Sequence, residues 1–400
     1  MSNHTLNHTP IANRTHIGIF GKRNAGKSSL INALTGQDIA IVSDTKGTTT
    51  DPVYKAMELL PLGPVVMIDT PGLDDQGELG ELRVQKAYEV LNKTDLALLV
   101  VDITCGMTME DEEILTQIKK KQIPHVLVFN KGDLPKHSAL TQAPNHQLTV
   151  STTTGENIST LKELIATLAK EETAPVPLVR DLVAPGDFVV LVTPIDESAP
   201  KGRLILPQQQ MIRDILEGEA NAIVLQETQL ESTLPNLGKT PALVITDSQI
   251  FAYVDARVPK EIPLTSFSIL FARYKGVLRT AVVGAMALDN LIDGDQILIS
   301  EGCTHHRQCN DIGTVKLPKW IMGYTNKHLT FAFTSGTAFP EDLSPYACII
   351  HCGGCMLNER EVKYRMQIAE EQGIPMTNYG TAIAKMHGIL KRSIEPFQPL

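Results

Sequence analysis

A chain of 400 residues with 42% hydrophobic and 20% charged residues has the composition of a globular protein with two or three domains. Its formal net charge of −9 at pH 7 disfavours nucleic acid as a partner, because nonspecific nucleic-acid binding needs a basic face. No apolar run reaches the ~18 residues of a membrane span, and no apolar signal core opens the chain. We therefore expect a cytoplasmic protein without a membrane partner, whose six cysteines are metal ligands or free thiols rather than disulfides.

The order of apolar strands and helical patterns predicts an α/β protein with three domains. The first domain is expected to have a mostly parallel sheet with helices on both faces, and the other two are smaller α/β domains. A polar tail precedes the first domain, and a proline-rich linker follows it. We predict a tail at residues 1–14, the first domain at residues 15–172 and the linker at residues 173–184. The second domain is predicted at residues 185–262 and the third at residues 263–400.

The first domain opens with a phosphate-binding motif. An apolar strand at residues 16–20 leads directly into Gly-Lys-Arg-Asn-Ala-Gly-Lys-Ser at residues 21–28, and a helix follows. Backbone N–H groups and the helix N-terminus cradle phosphates in such a loop, while Lys27 neutralises the β- and γ-phosphate oxygens and Ser28 binds magnesium. The predicted phosphate-binding residues are Gly21, Asn24, Ala25, Gly26, Lys27, Ser28 and Ser29.

A second buried strand carries the next nucleotide motif. Residues 65–69 form an apolar run that ends in a carboxylate, and Thr-Pro-Gly follows at residues 70–72. We expect Asp69 to hold magnesium through water and the Gly72 amide to contact the γ-phosphate.

The base-recognition motif follows two further apolar strands, at residues 96–102 and 125–129. The second strand delivers Asn-Lys-Gly-Asp at residues 130–133, and Asp133 can accept both N–H groups of guanine, which adenine does not offer in that arrangement. The motif resembles the guanine-specificity motif of small GTPases, so we expect GTP as the substrate. The predicted guanine contacts are Asn130, Lys131, Asp133, Ser151 and Thr152.

Two details resemble one branch of GTPases, the TrmE/Era-like enzymes. These are Asn24 inside the phosphate loop and Gly-Thr-Thr-Thr-Asp at residues 47–51. The resemblance implies that Asn24 helps to hold a potassium ion and that Thr49 binds magnesium together with Ser28. Leu73 stands where Ras-like enzymes have the water-positioning Gln, so we expect slow hydrolysis that potassium stimulates. The predicted catalytic residues are Lys27, Thr49, Asp69 and Gly72.

The second domain alternates strand and helix patterns over roughly 80 residues, which is compatible with a parallel sheet. It contains no phosphate loop and no dense set of catalytic side chains. We therefore interpret it as a binding or dimerisation domain.

The third domain carries two dense Cys and His boxes, Cys-Thr-His at residues 303–305 and His-Cys-Gly-Gly-Cys at residues 351–355. Each box lies beside an apolar strand, and the two glycines of the second box let the thiols of Cys352 and Cys355 face one metal centre. Thiolates favour zinc or iron–sulfur, and three cysteines without a fourth suggest a cluster with one distinct iron. Structural zinc is the alternative that ligand types alone leave open.

The GTPase motifs, the middle domain and the paired boxes together resemble one family, the FeFe-hydrogenase maturation GTPases (HydF). The resemblance implies a 4Fe–4S cluster on Cys303, Cys352 and Cys355, and a homodimer formed through the middle domain. It also implies a scaffold that receives a diiron precursor with CO and cyanide ligands from radical-SAM maturases and delivers it to the FeFe-hydrogenase apo-enzyme. The alternative is a TrmE/Era-like GTPase with a structural zinc domain that acts on RNA or ribosomes, which the acidic net charge disfavours.

The identity of the fourth cluster ligand stays open at the level of the sequence. Cys309 and Cys348 fit core or loop positions better than cluster positions, so one iron is expected to take a histidine, a carboxylate, water or the incoming precursor. His305 and His351 are the obvious candidates, although either could instead hydrogen-bond a cluster sulfur.

Overall fold

The structure, a computed structural model, describes residues 9–36, 51–73, 78–136, 146–170, 176–195, 204–302, 311–336 and 338–397. The chain divides into two units, Met1–Ala174 and Pro175–Leu400. Across these described ranges, no helix combines the length and the apolar character that crossing a membrane requires.

One six-stranded sheet forms the centre of the first unit. Its strands are β1 (Thr15–Phe20), β2 (Val53–Leu59), β3 (Gly63–Asp69), β4 (Leu96–Asp102), β5 (His125–Asn130) and β6 (Gln147–Thr149). They lie in the order β2-β3-β1-β4-β5-β6, and every neighbouring pair is parallel except β2 and β3. The carboxyl ends of the parallel strands therefore meet at one edge of the sheet, where the loops that follow β1, β3 and β5 begin.

Helices cover both faces of this sheet. They are α1 (Lys27–Thr35), α2 (Glu78–Leu91), α3 (Met109–Lys120) and α4 (Ile158–Lys170). Buried residues of α1 and α4 share one hydrophobic cluster with the sheet, and those of α2 and α3 share another. The inner strands appear as continuous apolar runs because both of their faces are covered. The predicted α/β fold with a mostly parallel sheet is confirmed.

The edge strand β2 is a difference from the sequence analysis, which did not predict it. Its residues alternate between half-buried and exposed positions, with Lys55 and Glu58 among the apolar ones. A strand at the edge of a sheet has one side in solvent and does not form the apolar run by which the inner strands are recognised.

Two four-stranded parallel sheets form the second unit. The middle sheet contains β7 (Phe188–Val192), β8 (Asn221–Leu225), β9 (Leu243–Thr246) and β10 (Leu264–Ser266), in the order β10-β9-β7-β8. The C-terminal sheet contains β11 (Gln296–Glu301), β12 (Thr330–Ser335), β13 (Cys348–His351) and β14 (Met376–Asn378), in the order β12-β11-β13-β14. Both sheets thus have one topology, in which the first strand lies between the second and the third.

Nine described helices belong to this unit. They are α5 (Leu206–Glu217), α6 (Leu230–Thr233), α7 (Phe251–Asp255), α8 (Phe267–Tyr274), α9 (Leu278–Ala285), α10 (Leu317–Thr325), α11 (Glu359–Glu371), α12 (Tyr379–Met386) and α13 (Leu390–Ile394). A π-helical turn, Ile312–Lys316, precedes α10. The two sheets share one hydrophobic cluster, to which the middle sheet, α8 and the C-terminal sheet all contribute buried residues, among them Val190, Phe271 and Ile349.

The boundary between the two smaller domains differs from the predicted one. The sequence analysis began the third domain at residue 263, but β10 pairs in parallel with β9 and completes the middle sheet. The reason is that a strand of three residues is too short to form a recognisable apolar run, so its membership depends on pairing that the sequence does not display.

The close packing of α9 against β14 depends on a glycine. A Cβ on Gly284 would lie 2.0 Å from the Met376 carbonyl oxygen, whereas a Cβ on the exposed Gly323 of α10 would meet no atom within 4 Å. We predict that Gly284→Ala destabilises the second unit by about 1–3 kcal/mol, because the helix must move away from the strand. Gly323→Ala is the matched control and should be neutral or slightly stabilising. Urea unfolding followed by circular dichroism measures both, and equal midpoints for the two variants would contradict the packing argument.

Candidate functional site

The loop after β1 requires glycine at two positions. Gly21 has a φ of +139°, and an added Cβ would lie 2.2 Å from the Val100 carbonyl oxygen. Gly26 has a φ of +94°, and its added Cβ would lie 2.1 Å from Asn130 Nδ2. Asn24 also adopts the left-handed conformation, with a φ of +59°. The left-handed residues bend the chain so that the loop closes over the N-terminus of α1, whose cap position, Gly26, offers no side-chain hydrogen bond.

The predicted phosphate and magnesium ligands lie together at the start of α1. Lys27 Nζ donates to the carbonyl oxygens of Gly21, at 2.8 Å, and Lys22, at 2.7 Å, so the ammonium lies within the loop. Ser28 Oγ donates to Asp69 Oδ2 at 2.8 Å, so two of the residues predicted to bind magnesium are in contact. Burial raises the pKa of Asp69, against the hydrogen bond from Ser28 and the positive charge of Lys27. A buried carboxylate beside a hydroxyl fits a hard divalent cation.

The predicted base-recognition residues contact the phosphate loop and one another. Asn130 Nδ2 donates to the Ala25 carbonyl oxygen at 3.0 Å, and Asn130 Oδ1 accepts from the Thr152 amide at 3.3 Å. Asp133 Oδ1 accepts from Ser151 Oγ at 2.5 Å. The loops after β1, β5 and β6 are thereby joined into one surface, as a nucleotide that extends from phosphates to base requires.

Lys131 lies between Asn130 and Asp133 in the sequence and forms an ion pair with Asp102 at the end of β4. Although burial opposes it, hydrogen bonds from Lys131 and Thr104 hold the pKa of Asp102 below its ordinary value. Lys131 has a φ of +64°, so the motif turns away from β5 in a left-handed conformation.

Some of the remaining residues considered for the nucleotide site lie within the described residues, and one lies outside them. Ser29 lies in α1, and Gly72 is half-buried after β3. The Leu73 side chain is buried in the hydrophobic cluster of α2 and α3, so it takes no part in positioning water. Thr49, the predicted magnesium ligand and catalytic residue, lies outside the described residues.

The second candidate site lies at the carboxyl ends of β11 and β13. The Cys352 amide donates to the Ser300 carbonyl oxygen at 2.9 Å, which continues the pairing of the two strands. Cys352 Sγ accepts hydrogen bonds from the amides of Gly302, at 3.0 Å, and Gly354, at 3.4 Å. Gly354 has a φ of +63°, which turns the loop around the sulfur.

Both cysteines of this loop are half-buried. Burial raises the pKa of Cys355 to about 11, and the neighbouring Cys352 adds to the effect. Burial also raises the pKa of Cys352, against the two amide hydrogen bonds. Both groups are therefore thiols at neutral pH unless a cation stabilises their thiolates. Cys348 is fully buried within β13 and belongs to the core.

His351 uses both ring nitrogens within the chain. Arg365 Nη1 lies 3.0 Å from His351 Nε2, and because a guanidinium only donates, Nε2 accepts and Nδ1 carries the proton. His351 Nδ1 then donates to the Cys352 carbonyl oxygen at 2.7 Å. Burial and the charge of Arg365 lower the pKa of His351 to about 3, so the ring is neutral. The described arrangement offers neither nitrogen to a metal and favours the supporting role for His351.

Arg365 is fully buried and joins four segments around this loop. Its Nε and Nη2 donate to Glu361 Oε1 at 3.0 and 2.9 Å. Nη1 also contacts Ser300 Oγ at 3.3 Å, and Nη2 donates to the Gly336 carbonyl oxygen at 2.8 Å. The guanidinium thus holds α11 to β11, to β13 and to the turn after β12.

Two further charged side chains lie close to the thiols. Glu301, at the end of β11, is buried, accepts from the Tyr379 hydroxyl at 3.2 Å and raises the pKa of Cys352. Lys275 is also buried, and its Nζ donates to the Leu357 carbonyl oxygen. Burial of Cys355 raises the pKa of that thiol, and the positive charge of Lys275 partly opposes this rise. The site therefore combines thiols, a carboxylate and an ammonium in an enclosed position.

The first Cys box lies outside the described residues, including Cys303, His305 and Cys309. In the part of the chain that the structure describes, no three His, Cys, Asp or Glu side chains converge as a metal site. The described chain reaches the first box at Gly302, whose amide contacts Cys352 Sγ.

Sequence reasoning missed Arg365, Glu301 and Lys275. Arg365 had a detectable signal, because it lies at helical spacing among the buried residues Val362, Met366 and Ala369 of α11. Glu301 also had a signal, because it is a carboxylate at the end of an apolar strand, as Asp69 is. Lys275 had no signal, since a lysine at the end of a helix is normally exposed.

Three family models match the chain. "50S ribosome-binding GTPase" matches residues 16–131, "Hydrogen maturase F dimerization domain" residues 178–276 and "Hydrogen maturase F tetramerization domain" residues 279–396. The description of the model that matches residues 279–396 refers to a tetramer, whereas the sequence analysis predicted only a dimer. The first unit is accordingly a GTPase domain, as predicted.

Curated relatives of this chain include two bacterial GTPases that match part of it. The tRNA modification GTPase MnmE of Chromobacterium violaceum is 40% identical over 150 residues, which are 37% of this chain and 33% of that protein. GTPase Der of Kosmotoga olearia is 36% identical over 123 residues, 30% of this chain and 28% of that protein. The chain thus spans about a third of the length of these relatives.

Among solved structures, Aquifex aeolicus Era bound to GDP·AlF4− is similar at 23% identity and a TM-score of 0.33, over 53% of this chain and 92% of that one. The family models give the stronger result. The two hydrogen maturase F models together match more than half of this chain, and they follow the match to the GTPase model without overlap. The chain belongs to the hydrogen maturase F family.

Proposed function

We propose that this protein is a GTP-hydrolysing scaffold and carrier in FeFe-hydrogenase maturation. It holds a 4Fe–4S cluster on Cys303, Cys352 and Cys355, receives a diiron precursor with CO and cyanide ligands from radical-SAM maturases, and delivers it to the apo-hydrogenase. The observation that carries the proposal is the half-buried thiol pair of Cys352 and Cys355, with the Gly302 amide on Cys352 Sγ, in a chain of this family.

The donor set fits an iron–sulfur cluster. Amide hydrogen bonds to a buried sulfur stabilise a thiolate, and the glycines at 302 and 354 bring these amides close to Cys352 Sγ. Gly302, whose amide contacts Cys352 Sγ, is the residue that immediately precedes Cys303 in the sequence. When bound, the cluster would supply an iron without a cysteine ligand, at which the diiron precursor can attach.

A fourth protein ligand is expected from a carboxylate or from His305. The ring nitrogens of His351 are both hydrogen-bonded within the chain, and His351 instead supports the Cys352 carbonyl. Glu301 is buried and near Cys352, two residues before Cys303, which makes it our candidate among the described residues. A carboxylate binds iron less tightly than a thiolate does, so it could be displaced by an incoming ligand.

The GTPase domain would control the timing of these transfers. Ser28, Asp69 and Thr49 would hold magnesium, Lys27 and the Gly72 amide would contact the γ-phosphate, and Asn24 would hold potassium. With Leu73 buried, no glutamine positions the water, so we expect slow turnover. The dimerization and tetramerization models support assembly into a homo-oligomer, and we propose dimerisation through the middle sheet.

Guanine specificity is predicted to depend on Asp133. Asp133→Asn keeps one acceptor oxygen and replaces the other by an NH2 donor. It should therefore weaken GTP binding by loss of one hydrogen bond worth about 1.5–3 kcal/mol, and it should favour XTP, whose base offers a carbonyl to the new donor. Competition of GTP, XTP and ATP for a fluorescent nucleotide measures this. Equal affinity of the unaltered protein for ATP and GTP would exclude the assignment.

Potassium is predicted to accelerate GTP hydrolysis several-fold over sodium. A cation held by Asn24 would add positive charge at the transferred phosphate, as an arginine finger does elsewhere. Turnover measured in KCl and NaCl at equal ionic strength tests this, and Asn24→Ala should remove the difference more than it weakens nucleotide binding. Identical rates in both salts would refute a potassium site.

The cluster is predicted to have one exchangeable iron ligand. Electron paramagnetic resonance of the reduced, anaerobically reconstituted protein should change on addition of imidazole or cyanide, because an open position accepts them. Cys303→Ser, Cys352→Ser and Cys355→Ser should each lose or cripple the cluster and abolish hydrogenase maturation, whereas Cys105→Ser in the GTPase domain is the matched control and should not.

Two results would contradict this prediction. A spectrum that does not respond to either ligand, together with cluster loss in Cys348→Ser or Cys309→Ser, would mean complete cysteine ligation. A colourless protein with bound zinc and no iron or sulfide would instead support the zinc-domain alternative.

A further inference from the structure

The ends of β4 and β5 are joined at the backbone beside the predicted base-recognition motif. Asp102, the last residue of β4, is in register with Asn130, the last residue of β5. Directly beyond this pair, the Ile103 amide donates to the Asn130 carbonyl oxygen at 3.1 Å. Asn130 in turn donates to the Ala25 carbonyl oxygen of the phosphate loop. The end of β4 therefore lies next to residues that are predicted to hold the nucleotide.

The Asp102 carboxylate has a fixed orientation. Its Oδ1 atom accepts from the Thr104 amide at 2.9 Å and from the Thr104 hydroxyl at 2.7 Å. The Asp102 carbonyl oxygen accepts from the amides of Cys105 and Gly106 at 3.1 and 3.0 Å, so the backbone turns tightly here. Burial opposes the charge of Asp102, but hydrogen bonds from Lys131 and Thr104 hold its pKa below the ordinary value. The carboxylate is therefore ionised at neutral pH.

The second oxygen of Asp102 holds Lys131. Lys131 Nζ donates to Asp102 Oδ2 at 2.5 Å, and the two side chains are 32% and 17% exposed. On the opposite side, the Gly132 amide donates to the Val150 carbonyl oxygen at 2.9 Å. The base-recognition motif is thus held from β4 through the Lys131 side chain and from the residue after β6 through the backbone.

A lysine that is ordered before the nucleotide arrives favours binding. A lysine side chain loses much rotamer freedom when it becomes fixed, and preorganisation removes that cost from the binding step. The ion pair with Asp102 also keeps the Lys131 ammonium at the end of β4, whereas an unpaired ammonium would be attracted to the negatively charged phosphates. Lys131 lies between Asn130 and Asp133 in the sequence, so both effects concern the predicted base side of the site.

We propose that Asp102 is a positioning residue for the nucleotide, which acts through Lys131 and orders the base-recognition motif before GTP binds. The inference rests on the proposed placement of guanine at residues 130–133. Because GTP and GDP share the base, loss of the ion pair should weaken both nucleotides by the same factor. The rate of hydrolysis of bound GTP should stay the same, because the pair lies on the base side of the site.

A double-mutant cycle on the complete chain tests this role. Asp102→Asn removes the charge at nearly constant size, Lys131→Met removes the ammonium and keeps the stem, and a third variant carries both changes. Asp102→Glu keeps the charge and is the conservative variant. Asp187→Asn is the matched control, because Asp187 of the second unit also pairs with a lysine, Lys239 at 2.9 Å, and accepts from a backbone amide. Affinities for GTP and GDP, KM and kcat are measured, with circular dichroism as the measure of folding.

We expect Asp102→Asn to weaken GTP and GDP about tenfold each and to raise KM by a similar factor at unchanged kcat, as loss of one charge-assisted hydrogen bond predicts. The same change should have almost no further effect in the Lys131→Met background. Asp102→Glu should recover most of the affinity, and Asp187→Asn should behave as the unaltered protein does.

Unchanged affinities in Asp102→Asn, or an equal loss with and without Lys131→Met, would overturn the proposal. If Lys131→Met binds too weakly for the cycle, Asp102→Glu decides, because a failure to recover affinity excludes a role of the charge. Asp102→Ser takes the place of Asp102→Asn if that variant does not fold. Equal affinity of the unaltered protein for ATP and GTP would refute the placement of guanine instead, and the same cycle measured with ATP would then decide the role of Asp102.

Discussion

The cysteine site depends on one buried guanidinium. Arg365 binds Glu361 of its own helix, Ser300 of β11, His351 of β13 and the Gly336 carbonyl oxygen, so removal of its side chain would release four segments at once. A buried ion pair that loses one partner typically costs 3–5 kcal/mol, because the other charge is left uncompensated. Arg365 also determines which nitrogen of His351 carries the proton, and thereby directs that ring toward the Cys352 carbonyl rather than toward a metal.

The nucleotide site follows from its sequence more completely than the cysteine site does. Its parts lie directly after β1, β3 and β5, and a strand that ends in a recognisable motif fixes the place of that motif at the sheet edge. Asn130 and Ala25 are 105 positions apart, yet their contact was implied once both loops were assigned to the same edge. Local sequence was informative here because the backbone performs most of the binding.

At the cysteine site, the sequence predicted the cysteines but not the charged side chains around them. Arg365, Lys275 and Glu301 are buried charged residues, a class that is normally exposed, and only the helical spacing of Arg365 among buried residues and the place of Glu301 at the end of an apolar strand could have indicated otherwise. The short strands β10 and β14 were missed for a related reason, since three residues carry no periodicity and acquire their conformation from the neighbours with which they pair. The role of His351 also required coordinates, because a histidine in a metal-binding motif and a histidine that supports a loop have the same sequence context.

The shared topology of the two sheets in the second unit has a consequence for the interval between the Cys boxes. Ser300 and His351 are paired across adjacent parallel strands, so the end of β11, which leads toward the first box, lies beside the start of the second box whatever the length of the crossover through α10 and β12. Doubling the length of a flexible surface loop costs only about 0.6 kcal/mol. Insertions or deletions in that crossover would therefore alter the number of residues between the boxes while β11 and β13 kept their pairing, and genome searches with a fixed interval would overlook such chains.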